Sequence, residues 1–214
     1  MQTKTHQGPH LTESAIGTLE LDLPEEHWRS FSSLLQKGII VRLAETVSVK
    51  NFLCRHLGLD PEFVEHVITT IFLNGKPVDN LDQARLGPGD TLALSAAMPG
   101  LVGATMRRQG LVASFRSNIS YLEPGLREEP GEGVAIVLKL FNLMIEALGP
   151  ALLKQGILIR RGDWEAFLKR LGPGFWGNCR AVKLNGQKVH PGGRAPLPWP
   201  ANVSWINLKV NSAG

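Results

Sequence analysis

The sequence predicts an α+β protein built from two related units in tandem, and two repeated motifs carry this prediction. LLQKGIIVRL at Leu34–Leu43 recurs as LLKQGILIRR at Leu152–Arg161, and IFLNGKPV at Ile71–Val78 recurs as VKLNGQKV at Val182–Val189. Each copy contains an apolar strand, a short helix and an Asn-Gly hairpin in the same order. Because a repeated unit carries its own fold, we expect two similar units of one helix packed on a mixed sheet.

Each copy opens with a strand and a helical connection. GTLELDLP at Gly17–Pro24 corresponds to GVAIVLKLF at Gly133–Phe141, and the first alternates apolar and polar residues as a half-buried strand does. In the connection EEHWRSFSSLLQK, apolar residues recur at three- and four-residue spacing, which predicts a helix with one buried face. We expect Gly38 and Gly156 to end the two connections at equivalent points.

A second strand and the main helix follow in each copy. The strands are predicted at Ile39–Leu43 and Ile157–Arg160. The helices are VKNFLCRHL, with Ser48 as the expected N-cap, and WEAFLKRL, with Asp163 as the expected N-cap. A glycine follows each helix, which is typical of a helix C-terminus.

The last part of each copy is a hairpin and a final strand. Asn-Gly supplies the two residues with positive φ that a type I′ turn needs. The predicted hairpin strands are Thr69–Leu73 with Lys76–Val78 and Arg180–Leu184 with Gln187–Val189, and the final strands are Thr91–Ala96 and Val203–Val210. The stretch Pro191–Pro200 contains too many prolines for regular structure.

These elements define the domain organisation. We expect residues 1–16 to be disordered or extended, residues 17–100 to form the first unit, and residues 133–214 to form the second. Residues 101–132 are an extension and linker, in which the proline- and glycine-rich Glu123–Gly133 marks the boundary between the units.

The segment IFLNGKPVDNLDQARLGPGDTLALSAAMPG resembles the second half of the ubiquitin-like β-grasp proteins. The resemblance rests on an Asn-Gly hairpin, a strand of the form Leu…Gly-Asp-x-Leu, and a tail of small residues. Here these are Asn74-Gly75, Leu86 with Gly89-Asp90-Thr91-Leu92, and Ala96-Ala97-Met98-Pro99-Gly100. It is most similar to the small sulfur carriers, namely the molybdopterin-synthase small subunit and the thiamine-pathway carrier. The resemblance implies two tandem β-grasp units, with the second unit covered mainly through the internal repeat.

The same resemblance implies one alternative function. Sulfur carriers end in a flexible Gly-Gly tail whose carboxylate is adenylated and converted to a thiocarboxylate by partner enzymes. In this sequence the tail would be Ser212, Ala213 and Gly214, where alanine replaces the penultimate glycine. A protein partner under this alternative would be an adenylating or sulfur-transfer enzyme.

A second alternative is an RNA-binding accessory module. Arg107, Arg108 and Arg116 form the densest basic cluster, and Phe115 and Tyr121 lie nearby in the sequence. Arginines of this kind contact phosphates while aromatic rings stack on bases. The net charge is only +4, and four glutamates between residues 123 and 132 dilute the positive charge, so a solvated linker is the competing interpretation.

The favoured interpretation is a non-enzymatic protein-interaction module that requires no cofactor. Phosphate-loop, dinucleotide-binding, zinc-protease and serine-hydrolase motifs are all absent from the sequence. The N-terminus lacks the apolar core of a secretory signal, and the apolar stretch Val134–Leu153 is interrupted too often for a membrane span, so we expect a cytoplasmic protein. β-grasp sheets present a face and edges that a protein partner can cover. The oligomeric state stays open.

The thiols and histidines give weaker signals. Cys54 lies beside Phe52 and Leu53, which favours a buried structural thiol. Cys179 lies between Asn178 and Arg180, where a lowered pKa is one interpretation. The six histidines show no spacing typical of metal ligands, so we expect no metal site.

Overall fold

The structure is a computed structural model that describes residues 15–96, 106–108, 133–191 and 197–212. The chain divides into two compact units. Among the described residues, unit 1 contains residues 41–144, whereas unit 2 contains residues 15–40 together with residues 145–212. The two units therefore divide the chain differently from the predicted boundaries 17–100 and 133–214, because the N-terminal strand and helices belong with the C-terminal part of the sequence.

Among the described residues we number twelve strands and five α-helices. The strands are β1 (Ile16–Leu23), β2 (Ile39–Leu43), β3 (Val47–Ser48), β4 (Thr70–Leu73), β5 (Lys76–Pro77), β6 (Arg85–Leu86), β7 (Thr91–Ser95), β8 (Val134–Phe141), β9 (Ile157–Arg160), β10 (Ala181–Leu184), β11 (Gln187–Lys188) and β12 (Trp205–Ser212). The helices are α1 (Ser32–Lys37), α2 (Val49–Asn51), α3 (Pro61–His66), α4 (Leu143–Gln155) and α5 (Arg161–Leu171). Two 3₁₀ helices, Glu25–Phe31 and Pro173–Asn178, and a π-helical turn, Phe52–His56, complete the set. The observed class, helices with mixed sheets, agrees with the predicted α+β class.

Unit 1 has a sheet with the strand order β5-β4-β7-β8-β2, to which β2 contributes residues 41–43. β4 is antiparallel to both β5 and β7, whereas β7 and β8 are parallel. A separate two-stranded sheet joins β3 to β6. The inward side chains come from alternate positions, as Leu92 and Leu94 do in β7, and Phe52 and Leu53 of the main helix are buried with them.

Unit 2 has a sheet with the strand order β11-β10-β1-β12-β9. β10 is antiparallel to β11 and β1, β1 is parallel to β12, and β12 is antiparallel to β9. An aromatic cluster covers this sheet, in which Phe31 stacks on Phe167 with ring centroids 5.2 Å apart and Trp164 is completely buried. The N-terminal part of the chain thus contributes both a central strand and core aromatics to unit 2.

Strands pair in the same register in the two sheets, and this register shows which strands occupy equivalent positions. In unit 1, Leu73, Leu92 and Leu138 form one row across β4, β7 and β8. In unit 2 the matching row is Leu184, Leu19 and Leu208, across β10, β1 and β12. β1 therefore takes the place of β7, and β12 takes the place of β8.

This arrangement corrects the predicted correspondence between Gly17–Pro24 and Gly133–Phe141. The physical reason is that both central positions of the sheet need a strand with inward apolar residues at every second position. The pattern of β1 satisfies either position, so alternation alone does not choose between them. In unit 2 the segment after β11 is the proline-rich stretch, residues 192–196 of which lie outside the described part, and β1 fills the position that β7 fills in unit 1.

The predicted turns and one of the predicted caps are confirmed. Asn74 and Gly75 have φ of 53° and 78°, and Asn185 and Gly186 have φ of 49° and 80°, as a type I′ turn requires. The Ser48 hydroxyl accepts a hydrogen bond from the Asn51 amide at 3.2 Å and caps the main helix of unit 1.

The predicted cap at Asp163 is wrong. α5 begins at Arg161, so Asp163 lies inside its first turn. The Arg161 amide donates to the carbonyl of Ser204 at 2.9 Å, which satisfies a helix-start donor through the tertiary fold. Asp163 instead forms an ion pair of 2.5 Å with Lys37.

Unit 1 contains a helix, α3, that the sequence analysis did not predict. α3 has Pro61 in its first turn, and the Asp60 side chain accepts a hydrogen bond from the Glu62 amide at 2.7 Å.

Candidate functional site

Each sheet has an inward face and a second face, and the second faces are the candidate functional surfaces. Side chains alternate between the two faces of a strand, so the residues next to the inward leucines point the other way. In unit 1 one such row is Phe72, Ala93 and Lys139. The matching row in unit 2 is Lys183, Glu20 and Lys209. At two of these three positions the chemistry of the two units differs, whereas the third position is lysine in both.

The second face of unit 1 carries four apolar side chains among polar ones, of which Thr70 and Ser95 are buried. We define the apolar face as Phe72, Ala93, Val137 and Phe141, which are all half-buried. Lys139 is the charged residue that lies among them in the register. Half-exposed aromatic side chains on a sheet surface are the kind of residue that contributes most to protein–protein contacts.

The second face of unit 2 is strongly charged. We define this charged face as Glu20, Asp22, Arg160, Lys183, Lys188 and Lys209, that is, four cations and two carboxylates. Arg160 lies over the ring of Trp205, with 5.0 Å from its guanidinium carbon to the ring centroid. The Lys183 ammonium is 3.6 Å from the Glu20 carboxylate, and the two side chains are 51% and 28% exposed. At this exposure the pair contributes little to folding stability.

The arginine cluster predicted from the sequence divides into residues with different roles. Arg108 is buried, and its guanidinium donates to the carbonyls of Val64 and Ile68 at 3.3 and 3.2 Å and pairs with the Glu65 carboxylate at 3.1 Å. Internal acceptors therefore hold the guanidinium of Arg108, for which the sequence predicted a contact with anions. Arg107 is exposed, whereas Arg116 lies outside the described residues.

The predicted carrier tail follows a strand that occupies an unexpected position. β12 pairs with β1 as far as Ser212, which is opposite Leu23. Ala213 and Gly214 lie outside the described residues. The resemblance places a carrier tail after the strand at the β7 position, but in unit 2 that position belongs to β1. β1 leads into the 3₁₀ helix that begins at Glu25.

The pKa of the Cys179 thiol is raised, whereas its neighbours in the sequence suggested a lowered pKa. Burial, together with the negative charge of Asp22, raises the pKa of the Cys179 thiol to about 11. Its Sγ donates to the carbonyl of Phe175 at 3.8 Å. A thiol of this kind is a poor nucleophile at neutral pH, since the thiolate is the reactive form. The predicted burial of Cys54 is also only partial, because both cysteines are free and half-buried.

The part of the chain that the structure describes holds no group of three or more histidine, cysteine, aspartate or glutamate side chains that could bind a metal ion. His56 stacks on Phe52 with centroids 5.5 Å apart, and His66 lies 3.1 Å from the exposed Glu62 carboxylate. No described helix is long and apolar enough to cross a membrane.

The sequence interpretation missed both faces, although the signals were present. Thr18-Leu19-Glu20-Leu21 matches Thr91-Leu92-Ala93-Leu94 in β7, and Leu138-Lys139-Leu140 in β8 matches Leu208-Lys209-Val210. These two matches identify the equivalent strands and therefore the positions at which charged residues replace apolar ones.

Comparison with protein-family models, curated proteins and solved structures found no match.

Proposed function

We propose that the chain is a protein-interaction module in the cytoplasm that binds another protein through the apolar face of unit 1. The observation that carries the proposal is the contrast between equivalent positions. Phe72 and Ala93 of unit 1 correspond to Lys183 and Glu20 of unit 2. The fold accepts charged residues at these positions, so apolar residues there are not needed to build the sheet.

The proposal includes a β-grasp fold for each unit. Three features support it: a mixed sheet with a central parallel pair, a type I′ Asn-Gly hairpin at one side, and a main helix with buried aromatics against the sheet. The resemblance to sulfur carriers leads us to expect this layout. A fold of this type does not by itself assign an activity, so the functional argument depends on the surface.

The alternative of a sulfur carrier receives less support from the geometry. Gly214 follows β12, and β12 occupies the position of β8, which in unit 1 leads into α4 rather than into a tail. Intact-mass analysis of the protein from its native host checks this alternative directly. A terminal thiocarboxylate would increase the mass by the replacement of one oxygen with sulfur.

The alternative of an RNA-binding module also receives less support. Of the three arginines that motivated it, Arg108 donates its guanidinium to internal acceptors. The guanidinium of Arg108 is thus less available to a phosphate, in a chain whose net charge is only +4.

The test of the proposed function is a capture experiment with matched variants. The tagged protein is compared with Phe72→Lys, which introduces the residue that unit 2 carries at the equivalent position, and with the control Ala166→Lys, which adds the same charge at an exposed position of α5. We expect one protein to be retained by the wild type and by Ala166→Lys but lost with Phe72→Lys, because a buried apolar contact would be replaced by a charge. Binding of the recombinant partner is then measured by calorimetry. Equal binding by all three proteins would refute the proposal.

A further inference from the structure

We propose that the charged face of unit 2 binds an acidic segment of a protein partner. The charged face and the apolar face have no residue in common, so the two proposals depend on different side chains. The chemistry that would be recognised is a run of aspartate and glutamate side chains.

The first observation is a pair of lysines in direct opposition. Lys183 in β10 and Lys188 in β11 are cross-strand partners, and both are exposed. Like charges at directly opposed positions destabilise a sheet. In unit 1 the equivalent partners are Phe72 and Pro77, which are uncharged. The sheet therefore does not require this repulsive pair, and an anionic partner would relieve the repulsion.

The second observation extends the positive charge across the sheet. Lys209 lies beside Glu20 in the adjacent strand, and Gly156, which precedes β9, lies against the Lys209 stem. A side chain at Gly156 would meet this stem at 3.1 Å and Asn207 Oδ1 at 2.7 Å, so the lysine stem occupies the gap. Adjacent strands are about 4.8 Å apart, which places the three lysines within reach of a single short acidic segment.

The third observation favours a peptide over a nucleic acid. Single-stranded nucleic acids bind largely through stacking of bases on aromatic side chains. Trp205 is the aromatic residue described on this face, and it is only 6% exposed beneath Arg160. The face therefore offers cations without an aromatic surface for stacking.

Edge protection is the competing explanation, because lysines on terminal strands also prevent sheet-to-sheet aggregation. It accounts for Lys188 on β11, the terminal strand of this sheet. It does not account for Lys209 on β12, which pairs with β1 on one side and β9 on the other.

The experiment measures binding of a fluorescent octaglutamate peptide by anisotropy at low ionic strength. The full chain is compared with a triple variant, Lys183→Gln with Lys188→Gln and Lys209→Gln. The charge-matched control is Lys76→Gln with Lys139→Gln and Lys169→Gln, in which Lys139 is the unit 1 equivalent of Lys209. We expect the face variant to bind at least about 10-fold more weakly than the wild type, and the control to change by less than about 2-fold, because local rather than net charge determines such binding.

Glu20→Gln gives an independent arm that does not remove a lysine. It eliminates the carboxylate that competes for Lys183, so we expect tighter peptide binding, by about 2-fold or more. Any one of three outcomes would overturn the proposal. The two triple variants could lose the same affinity for the peptide, or the wild type could fail to bind it. The face variant could also aggregate without a change in affinity. Tighter binding of a single-stranded RNA of equal charge, with the same lysine dependence, would also overturn it. If Phe72→Lys loses the partner and the lysine variants keep it, the proposed function of the apolar face is supported and the proposal for the charged face is contradicted.

Discussion

Asn185 accepts a hydrogen bond from the Thr18 amide at 2.8 Å, across a separation of 167 residues in the sequence. The Asn185 amide in turn donates to the Thr18 carbonyl at 2.8 Å. In unit 1 the same two bonds join Asn74 to Thr91, at 2.9 Å each and only 17 residues apart. The same pair of hydrogen bonds thus joins each Asn-Gly turn to an adjacent strand. In unit 1 this strand is β7, which is close in the sequence, and in unit 2 it is the N-terminal strand β1.

We predict that Asn185→Gly destabilises the protein by about 1 kcal/mol, because the Thr18 amide loses its side-chain acceptor. Glycine retains the positive φ of this position, so the turn itself is not strained. The matched control is Thr18→Ser, which keeps the backbone donor. Urea unfolding measures the free energy for each variant, and equal stability of Asn185→Gly and the wild type would show that this bond does not hold β1.

We predict that Arg108→Met destabilises the protein by about 3 kcal/mol, because the Val64 and Ile68 carbonyls and the Glu65 carboxylate lose a charged donor. Arg108→Lys should recover only part of this loss, since an ammonium lacks the planar set of donors. The exposed Arg55 of unit 1 provides the control, and Arg55→Met should cost less than about 0.5 kcal/mol. Chemical unfolding gives the free energies, and similar values for the two methionine variants would contradict the anchoring role of Arg108.

We predict that Cys179 reacts slowly with iodoacetamide at neutral pH, because its pKa is raised to about 11. The rate should increase up to about pH 11 in a Cys54→Ser background. Asp22→Asn should lower the pKa of the Cys179 thiol, but not fully to 9.0, because burial, the larger cause, is retained. An unchanged alkylation profile in Asp22→Asn would show that the Asp22 charge does not act on the thiol.

The same thiol links stability to pH with a definite sign. The folded protein holds the Cys179 proton more tightly than the unfolded chain, whose thiol has a pKa near 9.0. The stabilisation is therefore complete below about pH 9 and declines as the pH rises toward 11. The thiol is only half-buried, so the effect is small, and the difference between wild type and Cys179→Ser in urea midpoint across this range measures it.

Local structure could be predicted from the sequence wherever short-range rules determine it. The Asn-Gly turns and the Ser48 cap depend on residues within three positions, and the structure has them as expected. The Asp163 cap failed because the distant Ser204 carbonyl satisfies the Arg161 amide. α3 could have been predicted from the capping Asp60 and the following Pro61.

Strand pairing was harder to predict because it depends on contacts between distant residues. β1 and β8 both alternate, and an alternating strand fits either central position of a sheet. The distinguishing signals were the Thr-Leu-x-Leu match of β1 with β7 and the Leu-Lys match of β8 with β12. The charged face could not be predicted without this pairing, because Glu20, Lys183 and Lys209 become neighbours only when β1 lies between β10 and β12.

The placement of β1 is the claim on which both surfaces depend, and a cysteine cross-link tests it most directly. In a Cys54→Ser, Cys179→Ser background, Glu20→Cys is combined either with Lys183→Cys or with Phe72→Cys, the equivalent position of unit 1. Opposed residues of an antiparallel pair, as Glu20 and Lys183 are, lie within disulfide reach. We predict that mild oxidation joins the two introduced thiols within one chain when Glu20→Cys is combined with Lys183→Cys, and leaves them unlinked when it is combined with Phe72→Cys. A disulfide in the Phe72→Cys combination and none in the Lys183→Cys combination would place β1 in unit 1 and contradict the account.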